Sequence, residues 1–193
     1  MVSKNRYAMV CASNMNRSME AHALLKKHEF DVGSYGVGSH VKLPGPNQKS
    51  PNSYSFGTPY KEIFADLAKK DSDLYTRNGL LRMVQRNMEV KLAPERFQDC
   101  REAYDIIVTF EERVMDQVVD DLNRRPQQLF RPALVVNLDV KDSHEEAALA
   151  APHALRLCTL VEAAEEWEDE IEAAVEQLFL ETGRRAIYTI CFY

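Results

Sequence analysis

Three short apolar runs constrain the fold of this chain more than any other feature. They are Arg6 to Cys11 (RYAMVC), Tyr104 to Phe110 (YDIIVTF) and Ala133 to Leu138 (ALVVNL). Each is too short for an ordinary helix and too continuously apolar for a strand with one wet face, so each reads as a strand buried inside a sheet. Helical patterns follow them. From Ser18 to Glu29 the apolar positions Met19, Ala21, Ala23, Leu24 and Leu25 fall on helical spacing, with Ser18 as a candidate N-cap. Glu111 to Leu122 opens with acidic residues, and Ser143 to Glu146 has the capping-box spacing S-x-x-E. The helical stretch beyond Ser143 is expected to break near Pro152, because proline removes a backbone donor. It resumes as an acidic, solvated face from Glu165 to Glu181, with Trp167, Ile171 and Val175 on the packed side, and stops at Gly183. Asp31 to Gly38 and Ala186 to Phe192 complete a set of five strands. This alternation predicts an α/β three-layer sandwich around a mainly parallel five-stranded sheet.

The second and third strands are far apart in sequence. Residues 40 to 60 carry Pro44, Pro46, Pro51 and Pro59 and read as a long irregular loop. Tyr60 to Lys70 and Leu80 to Asn87 read as short helices joined by the turn Asn78-Gly79. Residues 40 to 100 are therefore an insertion within one domain spanning 1–193, a length that suits a single core.

The net charge of −6 argues against adsorption to nucleic acid or to membrane surfaces, both of which are anionic. No apolar run approaches the roughly 18 to 20 residues of a membrane span, and the first residues lack the apolar core of a signal peptide. Cys11, Cys100, Cys158 and Cys191 lie far apart, with no C-x-x-C, which speaks against a zinc site and a disulfide scaffold. A reducing, intracellular setting is expected, with no metal and no other cofactor. The five histidines are scattered and read as surface or packed imidazoles.

Cys11 ends the first strand, and Arg17 and Ser18 open the first helix after five intervening residues. A loop in that position offers free backbone N–H groups and the positive end of a helix dipole, which bind an oxyanion and stabilise a thiolate. Arg17 supplies a guanidinium able to hold two phosphate oxygens. Asn14 and Asn16 tolerate left-handed backbone angles, so they can turn amides inward without glycine. Ser18 can donate to the Cys11 sulfur and make it a better leaving group. The pattern C-x5-R-S, with Ala12, Ser13, Asn14, Met15, Asn16 and Arg17 around the anion, is the phosphate cradle of a cysteine-dependent phosphatase. No G-x-x-x-x-G-K-[ST] is present, and Gly36-Val-Gly38 reads as a strand end.

Thiolate attack on a phosphate monoester also needs an acid to protonate the departing oxygen. The segment NLDVKDSHEEA, after the strand at 133–138, offers Asp139 and Asp142. Asp142, in the loop just before the helix, is the favoured candidate.

The stretches VCASNMNRSMEAH, GSHVKLPGP, DLYTRNGLLRMVQRN, PERFQDC, YDIIVTFEERVMDQVVDDLN, VVNLDVKDSHEEA and ICFY run through nearly the whole chain. In combination they resemble the eukaryotic RNA polymerase II C-terminal-domain phosphatases of the pre-mRNA 3′-end processing machinery, relatives of the low-molecular-weight tyrosine phosphatases. The resemblance implies a low-molecular-weight phosphatase-like fold and a phosphoserine–proline substrate in the polymerase heptad, with the serine–proline bond in cis. It also implies Cys11 as nucleophile, Arg17 as phosphate clamp and Asp142 as general acid. Met15, Lys42, Leu43, Pro44, Tyr75, Leu81 and Met83 would form the peptide groove. A symplekin-type scaffold as partner and a nuclear location follow from the same likeness. Tyrosine phosphatases of the low-molecular-weight type commonly carry a second cysteine where this chain has Asn16, and an Asp-Pro pair for the acid. Their absence here moves the chain toward the polymerase-tail group. A tyrosine phosphatase and a mainly non-catalytic docking module remain the alternatives.

Overall fold

The computed structural model describes residues 3–126 and 130–193. In chain order the elements are β1 (Arg6–Cys11), α1 (Arg17–Lys27), β2 (Asp31–Gly36), β3 (Val41–Leu43), β4 (Asn52–Tyr54), α2 (Tyr60–Arg77) and α3 (Leu80–Val90). After a 3-10 turn at Phe97–Asp99 come β5 (Ile106–Thr109), α4 (Glu112–Arg124), β6 (Pro132–Leu138), α5 (His144–Ala163), α6 (Trp167–Thr182) and β7 (Ala186–Phe192).

The main sheet has the order β2-β1-β5-β6-β7. The first four strands run parallel and β7 pairs antiparallel with β6 along its full length. Side chains alternate between the two faces of the sheet, as strand geometry requires. Tyr7, Met9 and Cys11 point to the core shared with α1, α5 and α6, while Ala8 and Val10 point to the core shared with α4. Both faces of β1, β5 and β6 are thus covered, which explains why their sequences are apolar without alternation. Parallel strands also align their carboxyl ends. The loops after β1, β5 and β6 converge there.

The insertion up to α3 forms a third apolar cluster, in which Leu43, Tyr60, Ile63, Leu67, Tyr75, Leu80, Leu81, Met83 and Val84 pack with Met15 and Met19, whereas Phe97 joins the sheet's core on the α4 side. The expected irregular loop contains a short antiparallel hairpin, Val41–Leu43 against Asn52–Tyr54. Pro44, Pro46 and Pro51 lie in its connection, where no ladder donor is needed. The first insertion helix, expected to end at Lys70, continues to Arg77 across a kink at Asp71, whose carboxylate accepts from the Leu74 amide.

Two local expectations are corrected. Pro152 does not break α5, which runs from His144 to Ala163. Pro152 faces solvent, where water can serve the carbonyl its missing N–H leaves open, and the buried alanines 147, 150, 151 and 154 keep the helix pressed on its neighbours. Ser18 is not the cap of α1; Asn16 occupies that position without a side-chain cap, and the Ser18 hydroxyl turns toward β1. At α5, by contrast, Ser143 accepts from the Glu146 amide at 3.1 Å, as the capping box predicts.

Candidate active site

The loop between β1 and α1 is held from outside by its carbonyls. The Cys11 and Ala12 carbonyls accept from the amides of Val37 and Gly38, and the Asn16 carbonyl accepts from Glu20. The insertion supplies the rest. Tyr60 donates its hydroxyl to the Asn14 carbonyl at 2.7 Å, and Asn87 Nδ2 and Arg86 Nη2 both donate to the Met15 carbonyl at 2.9 Å. Among the described residues, none of the amides of residues 13–16 donates to another group. A loop with its carbonyls tied outward and its amides open beside a helix start is an anion cradle.

Asn14 sets the turn. Its φ is 53°, and its side chain is fully buried. Its Oδ1 accepts from the Glu95 amide at 3.0 Å, which fixes the amide's orientation, so Nδ2 is free to donate both hydrogens, to Ser18 Oγ and to Ser34 Oγ at 3.1 Å each. Ser18 Oγ lies 3.0 Å from Cys11 Sγ. Because Ser18 already accepts from Asn14, its own proton is available to the sulfur. His22 Nδ1 closes the chain on Ser34 Oγ at 2.7 Å. Burial and the nearby Lys91 and Lys26 push the His22 imidazole down to about 3, so it stays neutral.

Arg17 is 4% exposed. Its Nη1 donates to the carbonyls of Val140 at 2.7 Å and Phe110 at 3.2 Å, and Nη2 pairs with Glu111 Oε2 at 3.1 Å. The loops after β5 and β6 therefore aim this guanidinium. Its Nε is buried and has no hydrogen-bond partner among the described residues. The closest carboxylate oxygen to that Nε is Asp142 Oδ1 at 3.6 Å, within ion-pair reach but too long for a hydrogen bond. Asp142 also accepts from Asn16 Nδ2 at 2.9 Å. Asp139 is exposed, and its carbonyl is taken by Arg184 Nη1 at 2.7 Å.

A cavity of about 280 Å³ opens over the cysteine, lined by Cys11, Ser13, Met15 and Asn16, by Lys42, Leu43 and Pro44, by Asn78, Leu80 and Met83, and by Asp142, Ser143 and His144. Of the residues expected in a peptide groove, Met15, Lys42, Leu43, Pro44 and Met83 line it. Tyr75 and Leu81 do not: both pack inside the insertion's apolar cluster, where the Tyr75 hydroxyl accepts from Asn52 Nδ2 at 2.9 Å. The lining residues missed by sequence reasoning are Asn78, Leu80, Ser143 and His144. His144 Nε2 meets the Asn78 carbonyl at 3.0 Å, joining the start of α5 to the insertion. Gly36 and Gly38 are further site residues that sequence reasoning misses. A Cβ at Gly36 would lie 2.8 Å from the Ala12 carbonyl and 2.9 Å from the Asn14 amide nitrogen, so only glycine lets β2 buttress the cradle this closely.

A sheet and site of this kind define a phosphatase that works through a cysteine nucleophile. Comparison with known proteins narrows the class. The family model described as "Ssu72-like protein" matches residues 5–193. The human RNA polymerase II C-terminal domain phosphatase SSU72 is 50% identical over 188 residues, covering 97% of each chain. Its Xenopus laevis counterpart is 49% identical with the same coverage. Among solved structures, Drosophila melanogaster Ssu72 in complex with symplekin and a cis peptidomimetic of the phosphorylated C-terminal domain aligns with a TM-score of 0.95. It is 42% identical, over 99% of this chain and 100% of that one. The chain belongs to the Ssu72-like family. No helix among the described residues is long and apolar enough to cross a membrane.

Proposed function

We propose that this protein is a serine phosphatase of the RNA polymerase II C-terminal domain. It hydrolyses phosphoserine followed by a cis proline through a cysteinyl-phosphate intermediate. The observation that carries the reading is the cradle itself: Cys11 at the end of β1, open amides around it, and a buried Arg17 whose Nε makes no hydrogen bond among the described residues. Its kinship with polymerase-tail phosphatases, one of them solved with a cis phosphopeptide mimic, supports the substrate.

The Cys11 thiolate attacks phosphorus while the amides of residues 12–16 and Arg17 hold the equatorial oxygens. The phosphorus–oxygen bond to serine breaks, and the Asp142 carboxylic acid gives its proton to the leaving alkoxide. Water then attacks the cysteinyl phosphate, Asp142 takes back a proton, and phosphate departs as Ser18 supports the returning negative charge on sulfur. An alcohol is a poorer leaving group than a phenol, whose pKa is about 10, so a serine substrate depends heavily on the acid. The apolar side of the cavity, Met15, Leu43, Pro44, Leu80 and Met83, accepts the proline. An X–Pro bond is cis in about 10–30% of flexible chains, so prolyl isomerases would feed this enzyme. The single domain 1–193, with its insertion forming part of the groove, would dock a symplekin-type scaffold and act in the nucleus on transcripts being cleaved and polyadenylated.

The test uses heptad peptides with the phosphoserine–proline bond locked in cis or in trans, beside a phosphotyrosine peptide. The cis phosphoserine form should be turned over preferentially. Cys11→Ser should lose at least about a thousandfold in rate. Equal rates on the cis and trans forms would refute the substrate assignment, and a loss of less than about tenfold in Cys11→Ser would refute the nucleophile.

A further inference from the structure

Asp142 is poorly anchored for a residue asked to deliver a proton. Its side chain is 61% exposed, and it sits on the loop joining β6 to α5. Among the described residues it has two side-chain contacts, Arg17 Nε at 3.6 Å and Asn16 Nδ2 at 2.9 Å. The first cannot persist during the reaction, because a phosphate in the cradle takes the single Arg17 Nε–H that Asp142 now faces. The second can. Asn16 belongs to the cradle, adjoins Arg17, and reaches the acid loop from the side. We propose that Asn16 is the positioning residue of the general acid: its side-chain amide holds Asp142 over the seat of the phosphoryl group once Arg17 has been given over to phosphate.

Two further features fit this role. Both contacts fall on Oδ1, so Oδ2 is left to carry the proton toward the leaving oxygen. The Asn16 Oδ1 is buried and has no partner among the described residues, so nothing but Asp142 dictates which way the amide faces. The reversed amide would set two acceptors against each other.

The inference rests on the phosphatase reading and is tested apart from it. A phosphoserine–proline peptide needs the acid; p-nitrophenyl phosphate, whose leaving group departs without a proton, hardly does. Asn16→Ala should lower kcat/KM on the peptide about tenfold, a loss of roughly 1.4 kcal/mol, with a several-fold smaller loss on the aryl phosphate. In an Asp142→Asn background the same change should cost the peptide reaction little more, since the two residues act as one unit. Asn16→Ser, with the inhibition constant of inorganic phosphate measured alongside, checks that the cradle is intact. Equal losses on both substrates, or a full further loss on top of Asp142→Asn, would make Asn16 a phosphate ligand and overturn the proposal. An unchanged peptide rate in Asn16→Ala would overturn it as well. An unchanged rate in Asp142→Asn would instead sink the acid assigned above.

Discussion

His22 stands at the far end of a hydrogen-bonded chain that runs through Ser34, Asn14 and Ser18 to Cys11. The cost of keeping it neutral is a stability term. An imidazole of ordinary affinity takes a proton as pH falls through 6.5, but the folded protein refuses it until about 3. Between those values the unfolded chain binds the extra proton, so stability present above pH 6.5 declines as pH drops. The slope from this group approaches about 1.4 kcal/mol per pH unit. Urea unfolding at pH 7 and pH 5 should show His22→Gln losing less on acidification than the parent does; parallel losses would refute the assignment. At the other end of the chain, Ser18→Ala removes the donor to sulfur. A hydrogen bond to a charged group is worth about 1.5–3 kcal/mol, so breakdown of the cysteinyl phosphate should slow by roughly 10- to 100-fold. Formation should suffer less, so a pre-steady-state burst of the leaving group should become visible.

At the scale of elements, helices and strands are legible in the sequence wherever local pattern decides them. The buried runs of β1, β5 and β6 and the Ser143 cap of α5 are local facts. Pro152 defies a sequence reading because the outcome depends on which side of α5 it faces, and only packing settles that. Replacing it with alanine restores a donor on the solvent side and should raise stability by about 1–3 kcal/mol in urea titration, less than the full helix penalty because the unfolded chain also gains freedom. Gly36 is opaque for a similar reason. As a sequence it looks like a strand end, and its use emerges only when β2 is laid against the cradle. Gly36→Ala should keep the fold, since a strand tolerates alanine, yet lower kcat at least about tenfold by pushing the Ala12 carbonyl and Asn14 amide aside. Of the candidate site, the cradle can be read because its residues are contiguous. Glu111, His144 and Leu80 cannot, because they reach the site only through three-dimensional closure.

At the scale of the molecule, the insertion and the sheet share one site, although most of the insertion's apolar side chains pack in a cluster of their own. The sheet and the loops at its carboxyl edge contribute Cys11, Arg17 and Asp142; the insertion contributes apolar lining of the cavity and the groups that tie down the Asn14 and Met15 carbonyls. Met15 joins the two, since its carbonyl is held by Arg86 and Asn87 while its side chain packs in the insertion's cluster and lines the cavity. Chemistry and peptide recognition should therefore separate under mutation according to which part is touched. Met83 is 5% exposed and touches the cavity but none of the reacting groups. Met83→Ala removes apolar surface from the proline side, worth about 1–2 kcal/mol of contact, and should raise KM for the phosphoserine–proline peptide by roughly 5- to 30-fold. The same variant should change p-nitrophenyl phosphate hydrolysis far less, because that substrate meets the cradle alone. Asn87→Leu goes the other way: it strips a donor from the cradle's own carbonyl, and both substrates should slow together. If Met83→Ala slowed both equally, the insertion would be acting as a brace for the cradle and not as a wall that selects the peptide.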